Sequence, residues 1–171
     1  MLMMDDSKTK KIRIINHFEH HERQELCQTR PKYRNGRRQT AIKVFTIADE
    51  SFYLLIHKVP ALSGVNVGED LRILCETFGT IEKFELVDYP QQQQQQKESF
   101  TNVYMVKYEK IIDAIRAKKR MDDYEFLGSL LHVCYAPEHE TIADIRCKLN
   151  ARKRYVGIKL AQCTNLLKKN K

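Results

Sequence analysis

The chain has 171 residues, 42% of them apolar, with 30 basic against 22 acidic side chains and a net charge of +8. That length suits one domain with extensions, since domains typically run about 100–150 residues. Its five cysteines (Cys27, Cys75, Cys134, Cys147, Cys163) stand apart without a CxxC pair. This argues against a disulfide framework or a zinc ribbon, and for a reducing compartment. No apolar run approaches the roughly 20 residues that span a bilayer, and the start lacks a signal-peptide pattern.

The charge is segregated. Residues 48–142 carry 10 basic and 16 acidic groups, residues 1–47 carry 11 and 5, and residues 143–171 carry 9 and 1. An acidic, foldable middle between two basic arms suggests that phosphate contacts come from the arms, with the middle as scaffold or protein-binding unit.

Residues 1–25 are polar, with Ile12, Ile14, Ile15 and Phe18 as the one apolar cluster, and read as disordered or a marginal helix. Residues 26–50 form a basic extension, broken at Pro31 and Asn35-Gly36, with a possible short strand over 41–47. A domain follows over 51–138. Phe52–Val59 is a β-rich run stopped by Pro60. Glu69–Phe78 places Leu71, Leu74, Cys75 and Phe78 on one helical face, with Gly79 where a terminating glycine would stand. Ile81–Val87 is a second strand. Pro90 and the six glutamines that follow open a solvated insertion over 90–99. Phe100–Tyr108 alternates as a third strand, Ile111–Met121 is a helix, and Leu130–Tyr135 is a fourth strand. The order β-α-β-β-α-β is that of the α+β ferredoxin-like fold. A further helix is expected over 139–156, with Ile142, Ile145 and Leu149 on one face, followed by a frayed basic tail over 157–171.

Met121, Phe126, Gly128, Leu131 and Val133 match in spacing the closing pattern of the RNA-recognition motif, and the chain resembles that family from 51 to 138. The family reads single strands by stacking bases on aromatics of its first and third strands. The corresponding outward positions here are Leu55, Val103 and Met105, with His132 and Cys134 beside them on the fourth strand. None of the first three offers a flat π face worth ~1–3 kcal/mol per base. Thr101 stands where the third-strand signature opens on a basic residue, and Tyr104 points into the core. An apolar sheet face needs a cover. The helix at 139–156 is the expected one, through Ile142, Ile145 and Leu149; another protein is the alternative.

Cys27–Arg38, Ala41–Ile47, Tyr53–Ile56 and Leu130–Glu138 together resemble a narrower family of RNA-recognition-motif subunits of the minor spliceosome. The resemblance implies a non-enzymatic adaptor in the nucleus that supports splicing of U12-type introns. It would bind the capped 5′ end of the U6-like small nuclear RNA together with an armadillo-repeat protein and other spliceosome subunits. A terminal phosphate cap beside free bases calls for converging cations and a platform for a base. Arg30, Lys32, Arg34, Arg37, Arg38 and Lys43 supply the cations with no acid among them, and Tyr33 supplies a stacking ring. Arg152, Lys153 and Arg154 on the last helix are further candidates for phosphate. A protein-binding module with a degenerate motif and only non-specific RNA affinity is the other reading.

No membrane partner, small-molecule substrate, cofactor or metal is expected. His17, His20 and His21 lie near Glu19 and Glu22, but structural zinc favours thiolates or a rigid helix pair, so this stretch reads as solvated. Cys134 and His132 lack an orienting acid or oxyanion site. Asp122-Asp123 reads as a turn.

Overall fold

In the computed structural model, residues 12–26, 32, 36, 44–89 and 100–169 are described, with side chains through 164. Four strands build the main sheet: β2 (Tyr53–Pro60), β3 (Ile81–Asp88), β4 (Thr101–Tyr108) and β7 (His132–Tyr135). A two-residue strand, β1 (Arg13–Ile14), joins its edge, giving the order β1-β3-β4-β2-β7. All pairings are antiparallel except β1 with β3. Helices α1 (Val67–Glu76) and α2 (Ile111–Met121) make the two crossovers. This is the ferredoxin-like arrangement expected of an RNA-recognition motif.

The core follows from the alternation. Leu54, Ile56, Tyr104, Val106, Tyr108, Val133 and Tyr135 point to the helix side of the sheet. There they meet Leu71 and Cys75 of α1, and Ala114, Ala117 and Met121 of α2. Leu71 and Cys75 sit four apart, and Ala114, Ala117 and Met121 follow the i, i+3, i+7 spacing of one helix face. Tyr108 is fully buried, and its hydroxyl donates to the carbonyl of Cys75 at 2.9 Å, closing α1 onto β4.

Three expectations are corrected. Gly79 does not terminate α1 in a left-handed conformation: the helix ends at Glu76 with Thr77 as its right-handed cap, and Gly79 has no positive φ. Its role is close approach, because a Cβ there would collide with the Asp113 side chain, down to its Cβ. Gly79→Ala should therefore cost about 1–3 kcal/mol by overpacking, read as a lowered urea midpoint with unchanged m-value. The expected fourth strand divides. Ser129–Leu130 (β6) turns back on Glu125–Phe126 (β5) through Leu127 and Gly128, both at positive φ, and the main-sheet strand begins at His132. The last helix, α3 (Ile142–Lys169), has 28 residues and continues through the stretch expected to be a frayed tail. Residues 44–46 form no strand, and 41–43, like the glutamine run, lie outside the described residues.

Candidate nucleic-acid interface

The sheet face that carries stacking aromatics in RNA-recognition motifs is closed here. Leu55 and Met105 are fully buried and Val103 partly so, in a second apolar cluster with Phe52, Tyr53, Val87, Cys134 and Ala136. The cover is not the C-terminal helix. Ile142 is 71% exposed, and Ile145 and Leu149 also face solvent. Polar contacts hold α3 at the sheet's end instead. Lys148 Nζ donates to the Glu50 carbonyl at 2.6 Å and to Glu140 at 2.7 Å, and Lys107 pairs with Asp144 at 3.1 Å.

The cover is the N-terminal segment, read from sequence as loose or marginally helical. It starts beside β3, where the Ile15 amide donates to the Asp88 carbonyl at 3.0 Å. Ile15, only 2% exposed, packs into the cluster over Leu55 and Met105. A 3-10 turn, Glu19–His21, follows, and Arg23 pairs with Asp123 at the opposite side. The segment thus crosses the whole face, from the β3 edge to the β7 edge.

All six histidines of the chain meet along this crossing. His21 is buried, with Nδ1 2.9 Å from the Tyr89 hydroxyl and Nε2 2.8 Å from Glu138. His20 reaches the other oxygen of Glu138 at 3.0 Å. His132 Nε2 donates to the His21 carbonyl at 2.8 Å. His57 lies edge-on to Tyr89, with His132 and His21 around it. Burial, aided by the neighbouring His132 and His21, pushes its pKa down to about 3. Burial alone would raise the carboxyl of Glu138, but hydrogen bonds from His21 and His20 hold it below its ordinary value. The Cys134 thiol, 3.5 Å from His57, is pushed well up by burial, the reverse of what a nucleophile needs.

An open recess remains, a cavity of about 310 Å³ beside β7 and the end of α2. Phe45 and Tyr135 form its aromatic wall, edge to face at 5.1 Å, with Lys118 Nζ 5.0 Å from the Phe45 ring. Asp49, Asp122 and Asp123 add carboxylates. Lys118 is buried against Asp122 at 3.0 Å and donates to the Val133 carbonyl. Leu26 and Val44, the described residues on either side of the basic stretch in the sequence, both line the cavity.

Of the expected RNA-contacting residues, Lys32 is exposed, and Arg30, Tyr33, Arg34, Arg37, Arg38 and Lys43 lie outside the described residues. Arg152 faces solvent and pairs with Glu50 at 3.5 Å. Lys153 and Arg154 are exposed and make no ion pair among the described residues. Sequence reading missed His57, Tyr89 and Glu138 as partners of the N-terminal histidines. The one available signal was a histidine pair, His20-His21, in a stretch with little else to bury.

No family model matches the chain. Its relatives are proteins named RNA-binding protein 48. That of Danio rerio is 46% identical over 141 residues, covering 82% of this chain and 36% of the relative. That of Pongo abelii is 48% identical and that of Homo sapiens 47%, each over 140 residues, 81% of this chain and 36% of the relative. The chain therefore spans about a third of the length of the curated relatives it matches. Solved RNA-recognition-motif domains are similar at low TM-score. The Pes4 RRM3 structure gives 0.40 at 20% identity, covering 52% of this chain and 95% of that one. The structure of Rna15 RRM with bound RNA (GU) gives 0.39 at 10% identity, covering 54% and 89%.

Proposed function

We propose that this chain, a homologue of the proteins named RNA-binding protein 48, is a non-enzymatic RNA-binding adaptor that does not use its sheet face to hold RNA. The observation that supports this reading is that the residues flanking the basic stretch in the sequence both line a cavity. Residues 27–43 hold six cations and no acid, and the residues on either side of them, Leu26 and Val44, flank an aromatic-walled cavity. In this reading Arg34, Arg37 and Arg38 take phosphates, with Arg30, Lys32 and Lys43 adding charge. A base enters the cavity against the wall formed by Phe45 and Tyr135, where carboxylates can accept from base N–H groups. Lys153 and Arg154 extend the cationic surface along α3.

In this reading the RNA is the capped 5′ end of the U6-like small nuclear RNA and the setting is the minor spliceosome in the nucleus, a reading that the family resemblance of the basic stretch supports. A 5′ end suits a cavity-and-arm site better than a sheet, because a terminus offers dense phosphate charge beside an unstacked base. A protein partner fits as well. Ile142, Leu149 and Val156 are exposed on α3, and an armadillo-repeat protein would cover such a helix.

The test is salt dependence. Replacing Arg34, Arg37 and Arg38 together by Gln should flatten the plot of log K against log salt by about 0.7–0.9 for each phosphate that is no longer neutralised. Fluorescence anisotropy with a 5′-capped oligonucleotide reads this directly. An unchanged slope removes the arm from the interface. Equal affinity for any RNA of equal length, vanishing at physiological salt, would leave a protein-binding module with incidental polyanion affinity.

A further inference from the structure

The turn Glu19–His21 and the turn Pro137–His139 meet at the margin of the covered sheet. One ring nitrogen of His20, one of His21 and a Glu138 carboxylate oxygen all lie within 4.8 Å of one another, and the Nε2 atom of each ring is hydrogen-bonded to that carboxylate. His21 is fixed from behind, since its Nδ1 is 2.9 Å from the Tyr89 hydroxyl and its carbonyl accepts from His132. Metal-ligating histidines have this arrangement, with one ring nitrogen facing the ion and the other held by a second partner. A tyrosine hydroxyl both donates and accepts, so it serves either His21 tautomer, including the one with Nε2 free for a metal. His139 follows Glu138, and its Nε2 is buried without a hydrogen-bond partner, 3.7 Å from the same carboxylate.

We propose that His20, His21 and Glu138 form a binding site for a divalent transition ion of the zinc class, with His139 as the nearest further donor. Imidazole and carboxylate donors suit Zn²⁺ and Co²⁺ and disfavour Mg²⁺ and Ca²⁺, which prefer all-oxygen shells. Zn–N and Zn–O distances near 2.0–2.1 Å put tetrahedral donors about 3.3 Å apart, so the two hydrogen-bonded histidine–carboxylate pairs open by a few tenths of an ångström to admit the ion. His20 is exposed and free to make that adjustment, while His21 and Glu138 are already held. The ion would replace two hydrogen bonds by coordinate bonds and clip the N-terminal segment to a turn 117 residues away. Metal then adds to the stability of the closed sheet face.

The experiment uses the full chain, stripped with chelator, with Cys27 and the exposed Cys147 and Cys163 replaced by Ser so that their thiolates do not compete. Calorimetric titration with ZnCl₂ should give one site. Co²⁺ should give a visible spectrum without a thiolate charge-transfer band. His20→Asn and Glu138→Gln should each weaken Zn²⁺ binding by about 100-fold or more, and Tyr89→Phe by about 10-fold. Amide exchange over residues 12–26 should slow about 100-fold at 100 Kd of Zn²⁺. Because His20 is exposed, His20→Asn keeps the test valid if Glu138→Gln fails to fold. Absence of saturable 1:1 binding at about 100 μM Zn²⁺, or unchanged affinity in His20→Asn, overturns the proposal.

Discussion

Asp122→Ala should destabilise the domain by about 3–5 kcal/mol, the cost of leaving a buried charge without its partner. Lys118 and Asp122 stand 3.0 Å apart, one turn from each other at the end of α2, with side chains 7% and 6% exposed. The same carboxylate accepts from the Val133 amide at 3.2 Å, so it also fixes the start of β7. Removing it strands Lys118 among Phe45, Tyr135 and the Val133 carbonyl. Asp122→Asn can keep the bond to Val133 and should cost less. Lys118→Met combined with Asp122→Asn should recover much of the loss, because removing both charges avoids the uncompensated ion. Urea unfolding of the two single variants and the double variant measures the coupling. Strictly additive effects would show that the pair does not act as a unit.

Lowering the pH from 7.5 to 5 should cost about 2 kcal/mol of stability through His57 alone. The folded pKa is about 3 against an ordinary 6.5. Between those values the unfolded chain binds a proton that the folded chain refuses. The stabilisation is therefore complete above 6.5 and is lost as pH falls, at ~1.4 kcal/mol per unit. His17, His21 and Tyr89 face the ring from the cover and the β3 end, and His132, Cys134 and Lys58 from β7 and its own strand. Glu138, Asp144 and Asp49, all held below their ordinary values, add losses of the same sign at lower pH. Unfolding midpoints in chelator at pH 7.5, 6 and 5 give the slope, and His57→Gln should flatten it whatever its absolute stability. An equal slope in that variant would assign the pH dependence to other groups.

The chain's own residues determined the framework. Alternation in Tyr53–Pro60 and Thr101–Tyr108, and the 3.6-residue spacing in Ile111–Met121, are local signals. Each strand or helix buries its apolar face whatever its neighbours are. Phe126, Leu131 and Val133 carried the fold family for the same reason. The cover of the sheet carried no such signal. It rests on one isoleucine, Ile15, and on polar bonds from His20, His21 and Arg23 to Tyr89, Asp123 and Glu138, 68 to 118 residues away. Hydrogen bonds across that separation leave no periodicity to read. Ile142, Ile145 and Leu149 show the opposite case: their spacing is the same whether the helix lies on the sheet or faces solvent, so pattern alone could not choose. Residues 17, 20, 21, 57, 132 and 139 become one histidine cluster through the strand order and the path of the N-terminal segment across it. That is decided in three dimensions, where burying Leu55 and Met105 outweighs leaving the segment solvated.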